Sequence, residues 1–96
     1  MTYELAFLDS ALKEWAQLDG AIREQFKKKL AERLEHPHVV SARLCGQRDR
    51  YKIKLRNAGY RLVYEVRDAE LVIMVIAVGR RDRNAVYEAA RTRRKD

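Results

Sequence analysis

The sequence predicts an α+β fold: a single small domain of order βααβββα, with an antiparallel meander sheet packed against an αα-hairpin. Three observations predict it. Apolar residues between Leu8 and Leu34 recur at three- and four-residue spacing, with a break at Asp19-Gly20. From Tyr51 onward the period falls to two. Leu71 to Val78 is then an almost unbroken apolar run. The 96 residues have room for one modest core, so residues 1–96 are read as one domain.

Thr2 to Phe7 reads as a short strand, and the sequence leaves its place in the sheet open. Asp9 or Ser10 caps a helix whose apolar stripe is Leu8, Ala11, Leu12, Trp15 and Leu18. After Asp19-Gly20 a second helix carries Ile22, Phe26, Leu30 and Leu34 on one stripe, with Lys27, Lys28 and Lys29 turned mainly outward. So short a connection makes the two helices antiparallel neighbours. His36-Pro37 ends the second, because a residue before proline avoids the helical region. In the meander, Tyr51, Ile53 and Leu55 point one way while Lys52, Lys54 and Arg56 point the other. Asn57-Ala58-Gly59 turns the chain into a strand in which Tyr60, Leu62, Tyr64 and Val66 alternate with Arg61, Val63, Glu65 and Arg67. Asp68-Ala69-Glu70 turns it again, and Leu71 to Val78 suits a central strand buried on both faces. Asp82 or Asn84 caps a last helix containing Ala85, Val86, Ala89 and Ala90, followed by the basic tail Arg91 to Lys95. Trp15, Phe26 and the 71–78 run are core.

The net charge is +7 and unevenly placed. Residues 1–42 hold six Lys/Arg against seven Asp/Glu, while residues 43–96 hold fifteen against seven. The second half concentrates positive potential and attracts polyanions, of which nucleic acid is the commonest in cytosol. No apolar run approaches the roughly eighteen residues a membrane span needs, and no membrane partner is expected. Met1 to Asp9 lacks the basic-then-apolar order of a secretory signal, and the single Cys45 forms no internal disulfide, so a cytoplasmic location is expected. His36, His38 and Cys45 match no common metal spacing, and neither metal nor cofactor is expected.

The meander also brings chemistry together. Lys52 and Lys54 leave one strand face about 6.6 Å apart. Arg61, just past the turn, is expected beside them across the sheet. Arg80 and Arg81 leave the third strand, and Tyr87 follows on the last helix. Four or five cations and a tyrosine are thus expected on one concave face, an arrangement that costs stability unless an anion neutralises it. RNA cleavage by internal attack needs a base for the 2′-hydroxyl, a cation for the phosphate oxygens and an acid for the leaving 5′-oxygen. Lysine is normally too basic for the first task, yet neighbouring cations disfavour its charged form. Arginines hold phosphate oxygens through paired donors. This chemistry is permitted by the residues and not required by them.

YKIKLRNAGYRLVYEV (51–66), VIMVIAVGRRDRNAVYEAA (72–90), FLDSALKEWAQLD (7–19) and REQFKKKLAERLEHP (23–37) together resemble the bacterial RelE toxins of the RelE/ParE superfamily over nearly the whole chain. The resemblance implies a RelE-like, microbial-RNase-like fold and a ribosome-dependent endoribonuclease that cuts messenger RNA in the ribosomal A site and is restrained by an antitoxin. It implies Lys54 as general base, Arg81 as general acid, Lys52 and Arg61 as transition-state stabilisers, and Tyr87 as the residue that stacks on the nucleotide. The implied partners are a RelB-like antitoxin, the 70S ribosome and messenger RNA, with operator DNA met only through the antitoxin complex. Arg56, Arg80, Arg83, Lys27 and Lys28 are expected RNA contacts, the last two equally suited to a solvated helix face.

Two other functions remain open to the residues: a toxin acting on DNA gyrase without nuclease activity, and an RNA- or DNA-binding module that protects without cutting. ParE-type relatives generally lack the basic set, which favours the nuclease. Given the charge of residues 43–96, affinity for ribosomes is expected to fall steeply as salt rises. Salt-independent ribosome binding in a sedimentation assay would count against this reading.

Overall fold

The alternation that begins at Tyr51 sends two kinds of side chain to opposite faces of a sheet, and each face must then be covered or solvated. In the structure, a computed structural model describing residues 2–47, 49–80 and 85–93, both faces are covered. The elements are β1 (Glu4–Phe7), α1 (Asp9–Ala16), α2 (Gly20–Glu35), a 3-10 turn (Val40–Ala42), β2 (Arg50–Leu55), β3 (Tyr60–Arg67), β4 (Val72–Arg80) and α3 (Ala85–Thr92). This is the βααβββα order read from the sequence.

The sheet order is β1-β4-β3-β2. β2, β3 and β4 form the expected antiparallel meander. β1 pairs with β4 in parallel, from Glu4 opposite Val72 to Phe7 opposite Val75. That placement makes β3 and β4 central, which explains the apolar run: Ile73, Val75, Ile76, Ala77 and Val78 are all buried.

One layer, α1 and α2, covers Tyr51, Ile53, Leu55, Leu62, Tyr64, Val66, Ile73, Val75 and Val78. The rings of Trp15 and Phe26 meet at 6.2 Å and link the two helices. On the opposite face, α3 lays Val86 and Ala90 over Leu44, Val63, Ile76 and Ala77. Val86 packs directly over Gly79, where a Cβ would stand 3.4 Å from Val86 Cγ2, an ordinary van der Waals contact.

Three details differ from the sequence reading. Asp9 lies inside the first turn of α1; Leu8 occupies the cap position and no side chain caps the helix. Leu12 is half exposed, because the eight-residue α1 is too short to bury a full stripe and meets the core mainly through Ala11. Leu71 belongs to the turn before β4, exposed and at φ 55°, a left-handed conformation that a leucine adopts only under the constraint of its neighbours. The cap expected at Asp82 or Asn84 lies outside the described residues.

At the end of the sheet away from the β2–β3 turn, a side-chain network joins distant segments. His38 Nδ1 lies 2.9 Å from the Tyr51 hydroxyl, and its Nε2 lies 2.9 Å from Asp68 Oδ1. The Tyr3 hydroxyl donates to the same carboxylate. These bonds, Tyr3 first and His38 second, hold the Asp68 carboxyl below its ordinary value. A depressed carboxylate contributes stability above the unfolded value of about 3.9 and loses it as pH falls through the lower folded value. Asp68→Asn is therefore expected to lower the melting temperature at neutral pH, with the gap to the parent protein closing at acid pH below that value. A gap that stays constant to low pH would show that the carboxylate charge plays no part.

Candidate active site

Register decides which cations meet. Lys54 is the direct cross-strand partner of Arg61, and Lys52 that of Val63. Opposed residues in an antiparallel pair share a face, so Lys52, Lys54 and Arg61 stand on the side of the sheet that α3 covers. Lys52 and Lys54 are half-buried. Arg61 is only 8% exposed, and its Nη1 donates to Tyr60 O at 3.2 Å. Among the described residues Arg61 has no ion pair. A buried guanidinium without a carboxylate is costly, and a phosphate would relieve that cost.

Glu65 is the one acid of β3 and shares this face. It does not neutralise the cluster, because Arg50 Nε at 3.0 Å and Arg67 Nη2 at 2.7 Å already engage its two oxygens.

Tyr87, on α3, packs at the margin of the same apolar cluster. Its hydroxyl is buried and has no hydrogen-bond partner among the described residues. Buried polar groups are nearly always bonded, so this hydroxyl is an exception among the described residues.

The remaining expected residues do not all gather here. Arg56 sits in the β2–β3 turn, exposed and beside Lys52 and Lys54 at the sheet's edge. Arg80 departs from the expected convergence. It is opposite Tyr60, one step from Gly79, the partner of Arg61, so it faces the helical-hairpin side, where its guanidinium lies 5.9 Å from the Tyr60 ring centre. Lys27 and Lys28 are exposed on α2, in the layer across the sheet from the cluster, and Lys27 is paired with Glu24. Arg81 and Arg83 lie outside the described residues.

The sequence reading missed the residues that hold the site together. Arg50 is buried and clasps the end of α3: Nη1 donates to Ala90 O, and Nη2 to Arg93 O at 2.8 Å. Arg93 reaches back to Glu14 on α1 at 2.8 Å and to Ile76 O at 3.0 Å. Glu14 also accepts from Val78 N–H, satisfying the edge of β4 where β1 has ended. The signal for Arg50 was its place one step before the Lys52–Lys54 alternation, with Glu65 available across the strand.

A family model described as the ParE toxin of type II toxin–antitoxin systems, parDE, matches residues 5–85. The chain is 53% identical over 90 residues to the mRNA interferase toxin RelE of Escherichia coli K12, covering 94% of this chain and 95% of that one. An arginine-to-alanine double mutant of the E. coli toxin RelE in the free state superposes with a TM-score of 0.87 at 51% identity, covering 94% of this chain and 95% of that chain. The toxin in the intact E. coli RelBE toxin–antitoxin complex gives 0.81 at 53% identity, covering 84% of this chain and 99% of that chain.

Because Arg50 joins β2, Glu65 and the last carbonyls of α3, Arg50→Ala is expected to cost about 3 kcal/mol, the usual cost of leaving a buried charge without its partner. It should also speed amide exchange in α3 more than in β3. Uniform protection across both elements would show that the clasp does not hold the helix.

Proposed function

Because the chain belongs to the ParE toxin family of type II toxin–antitoxin systems, we propose that it is the toxin of such a system and an endoribonuclease that cuts messenger RNA in the ribosomal A site, inhibiting translation. The observation that carries this reading is the placement of Lys54 opposite Arg61, with Lys52 beside them, on the sheet face against which the helix bearing Tyr87 packs. The relatives that match along nearly the whole chain are RelE mRNA interferases, which favours the nuclease over a gyrase-directed toxin.

In the proposed reaction Lys54 Nζ takes the proton from the 2′-hydroxyl, whose oxygen attacks the adjacent phosphorus. Lys52 and the Arg61 guanidinium hold the non-bridging oxygens as negative charge builds on them. The two neighbouring cations disfavour a third positive charge, which helps the lysine act as a base. The P–O5′ bond breaks as the leaving oxygen receives a proton, a role that falls to Arg81 by family resemblance. Tyr87 stacks on a base or bonds the phosphate through its unpartnered hydroxyl. The proposed reaction invokes no metal.

A RelB-like antitoxin is the expected restraint, since RelE is found with RelB in the intact E. coli complex. Covering the cationic face or displacing the last helix would each disable the site. Operator DNA would be met only through that complex. Ribosomes and messenger place the action in the cytoplasm; among the described residues no helix is long and apolar enough to cross a membrane.

Internal attack leaves a 2′,3′-cyclic phosphate or 3′-phosphate on one product and a 5′-hydroxyl on the other, and EDTA should not slow the chemical step. On programmed ribosomes Arg81→Ala and Lys54→Ala should each lower single-turnover cleavage about 10²-fold or more, the lower bound for general acid–base catalysis. Tyr87→Phe should retain more activity than Tyr87→Ala if stacking dominates. Products ending in 5′-phosphate, or full activity of Arg81→Ala, would overturn the assignment.

A further inference from the structure

The outer edge of β2 carries a concave surface in which Arg33, Ser41, Ala42 and Arg56, residues without a role in the proposed cleavage, adjoin Lys52 and Lys54. Arg33 from α2, Ser41 and Ala42 from the 3-10 turn, and Lys52, Lys54 and Arg56 line an open recess of about 240 Å³. Four of the six are cations, and no acid lines it. Arg33 is built in rather than splayed into solvent. Its Nη1 donates to the Tyr64 hydroxyl at 2.8 Å and to Lys52 O at 3.3 Å, and its guanidinium lies 5.7 Å from the Tyr64 ring centre. Tyr64 is itself buried and donates to Pro37 O at 2.7 Å. None of these partners is an anion, so they fix the guanidinium without neutralising it. A guanidinium has five N–H donors, and bonds through one nitrogen leave the fork able to grip an oxyanion.

We propose that this edge recess is a second phosphate site, taking an RNA phosphodiester, with Arg33, Ser41 and Arg56 as its own contacts and Lys52 and Lys54 shared with the cleavage face. The proposal rests on the nuclease reading and deepens it. The lining offers donors and no aromatic ring, which suits a phosphate rather than a base. Because Lys52 and Lys54 border both surfaces, a strand whose scissile phosphate lies under α3 would bring a neighbouring phosphate to the edge. Ribosomal RNA backbone offers the same chemistry from outside.

The test uses the full chain with Ser41→Ala/Arg56→Ala, two exposed positions, and Arg33→Lys, which keeps the charge and loses the planar fork. Half-saturating concentration is measured on ribosomes programmed with native messenger, and on messenger carrying a neutral methylphosphonate on either side of the cut. If the recess holds a messenger phosphate, one neutral linkage should weaken the parent protein about tenfold or more, the loss of one charge-assisted bond. The Ser41→Ala/Arg56→Ala protein should be weaker on native messenger by a similar factor, with little further loss on the neutral one. Weaker binding of both variants to ribosomes without messenger, with no methylphosphonate effect, would assign the phosphate to ribosomal RNA. Parent-like binding of both variants in every arm would overturn the proposal, as would variants that lose only antitoxin affinity. Should the parent protein fail to cut messenger, the nuclease reading falls, while equilibrium binding to ribosomes still decides the recess.

Discussion

The site depends on the register between β2 and β3. A strand alternates strictly, so a slip of one residue would turn Tyr51, Ile53 and Leu55 to α3 and send Lys52 and Lys54 into the aromatic core. The apolar set fixes the register because burial of Tyr51, Ile53, Leu62 and Tyr64 is complete. The cations are placed by that burial, as the other half of the same pattern. Tyr51 and Tyr64 stack at 5.6 Å, so packing on one face aligns the charges on the other. The four-residue turn from Arg56 helps, with Gly59 at φ 73° closing onto Leu55 O at 2.8 Å.

Period-two alternation made β2, β3 and the Lys52–Lys54–Arg61 face legible, because these two strands set an apolar face against a charged one, while β4 was legible as an unbroken apolar run. Where that contrast failed, so did legibility. β1 is four residues long with an unremarkable pattern, and parallel pairing with β4 leaves no local signature, since its partner lies some 68 residues later in the chain. The roles of Arg50 and Arg33 were not read from the sequence, because their partners are carbonyls and hydroxyls contributed by distant segments. Arg33 stands three residues after buried Leu30, at the border of the α2 stripe, and that spacing was its only trace. Arg80 was misplaced for a different reason. The register shift opposite Val63 and Tyr64, which leaves Ile76 as an extra residue on β4, is invisible in sequence, yet the pairing beyond it sets which of Gly79 and Arg80 faces Arg61.

Several acids of the scaffold are engaged by partners away from Lys52 and Arg61. At the far end of the sheet, Asp68 is met by Tyr3 and His38. Beneath α3, Glu65 is met by Arg50 and Arg67, and Glu14 by Arg93. These acids stabilise the scaffold and are thereby withdrawn from Lys52 and Arg61.

The helix that covers this face is held by a few polar contacts at one end more than by apolar area. α3 buries Val86 and Ala90, both small, and its closing carbonyls are gripped by Arg50. Small apolar contacts cost little to release, whereas the arginine clasp is specific in direction and confined to the C-terminal end. A cover built this way can stay in register over Lys54 and Arg61 while remaining exchangeable for another segment that offers carbonyls to Arg50 and small side chains to Val63 and Ala77. The engaged acids and the small contacts of α3 meet on one face, and the proposed RNA binding and the proposed restraint by an antitoxin both draw on it.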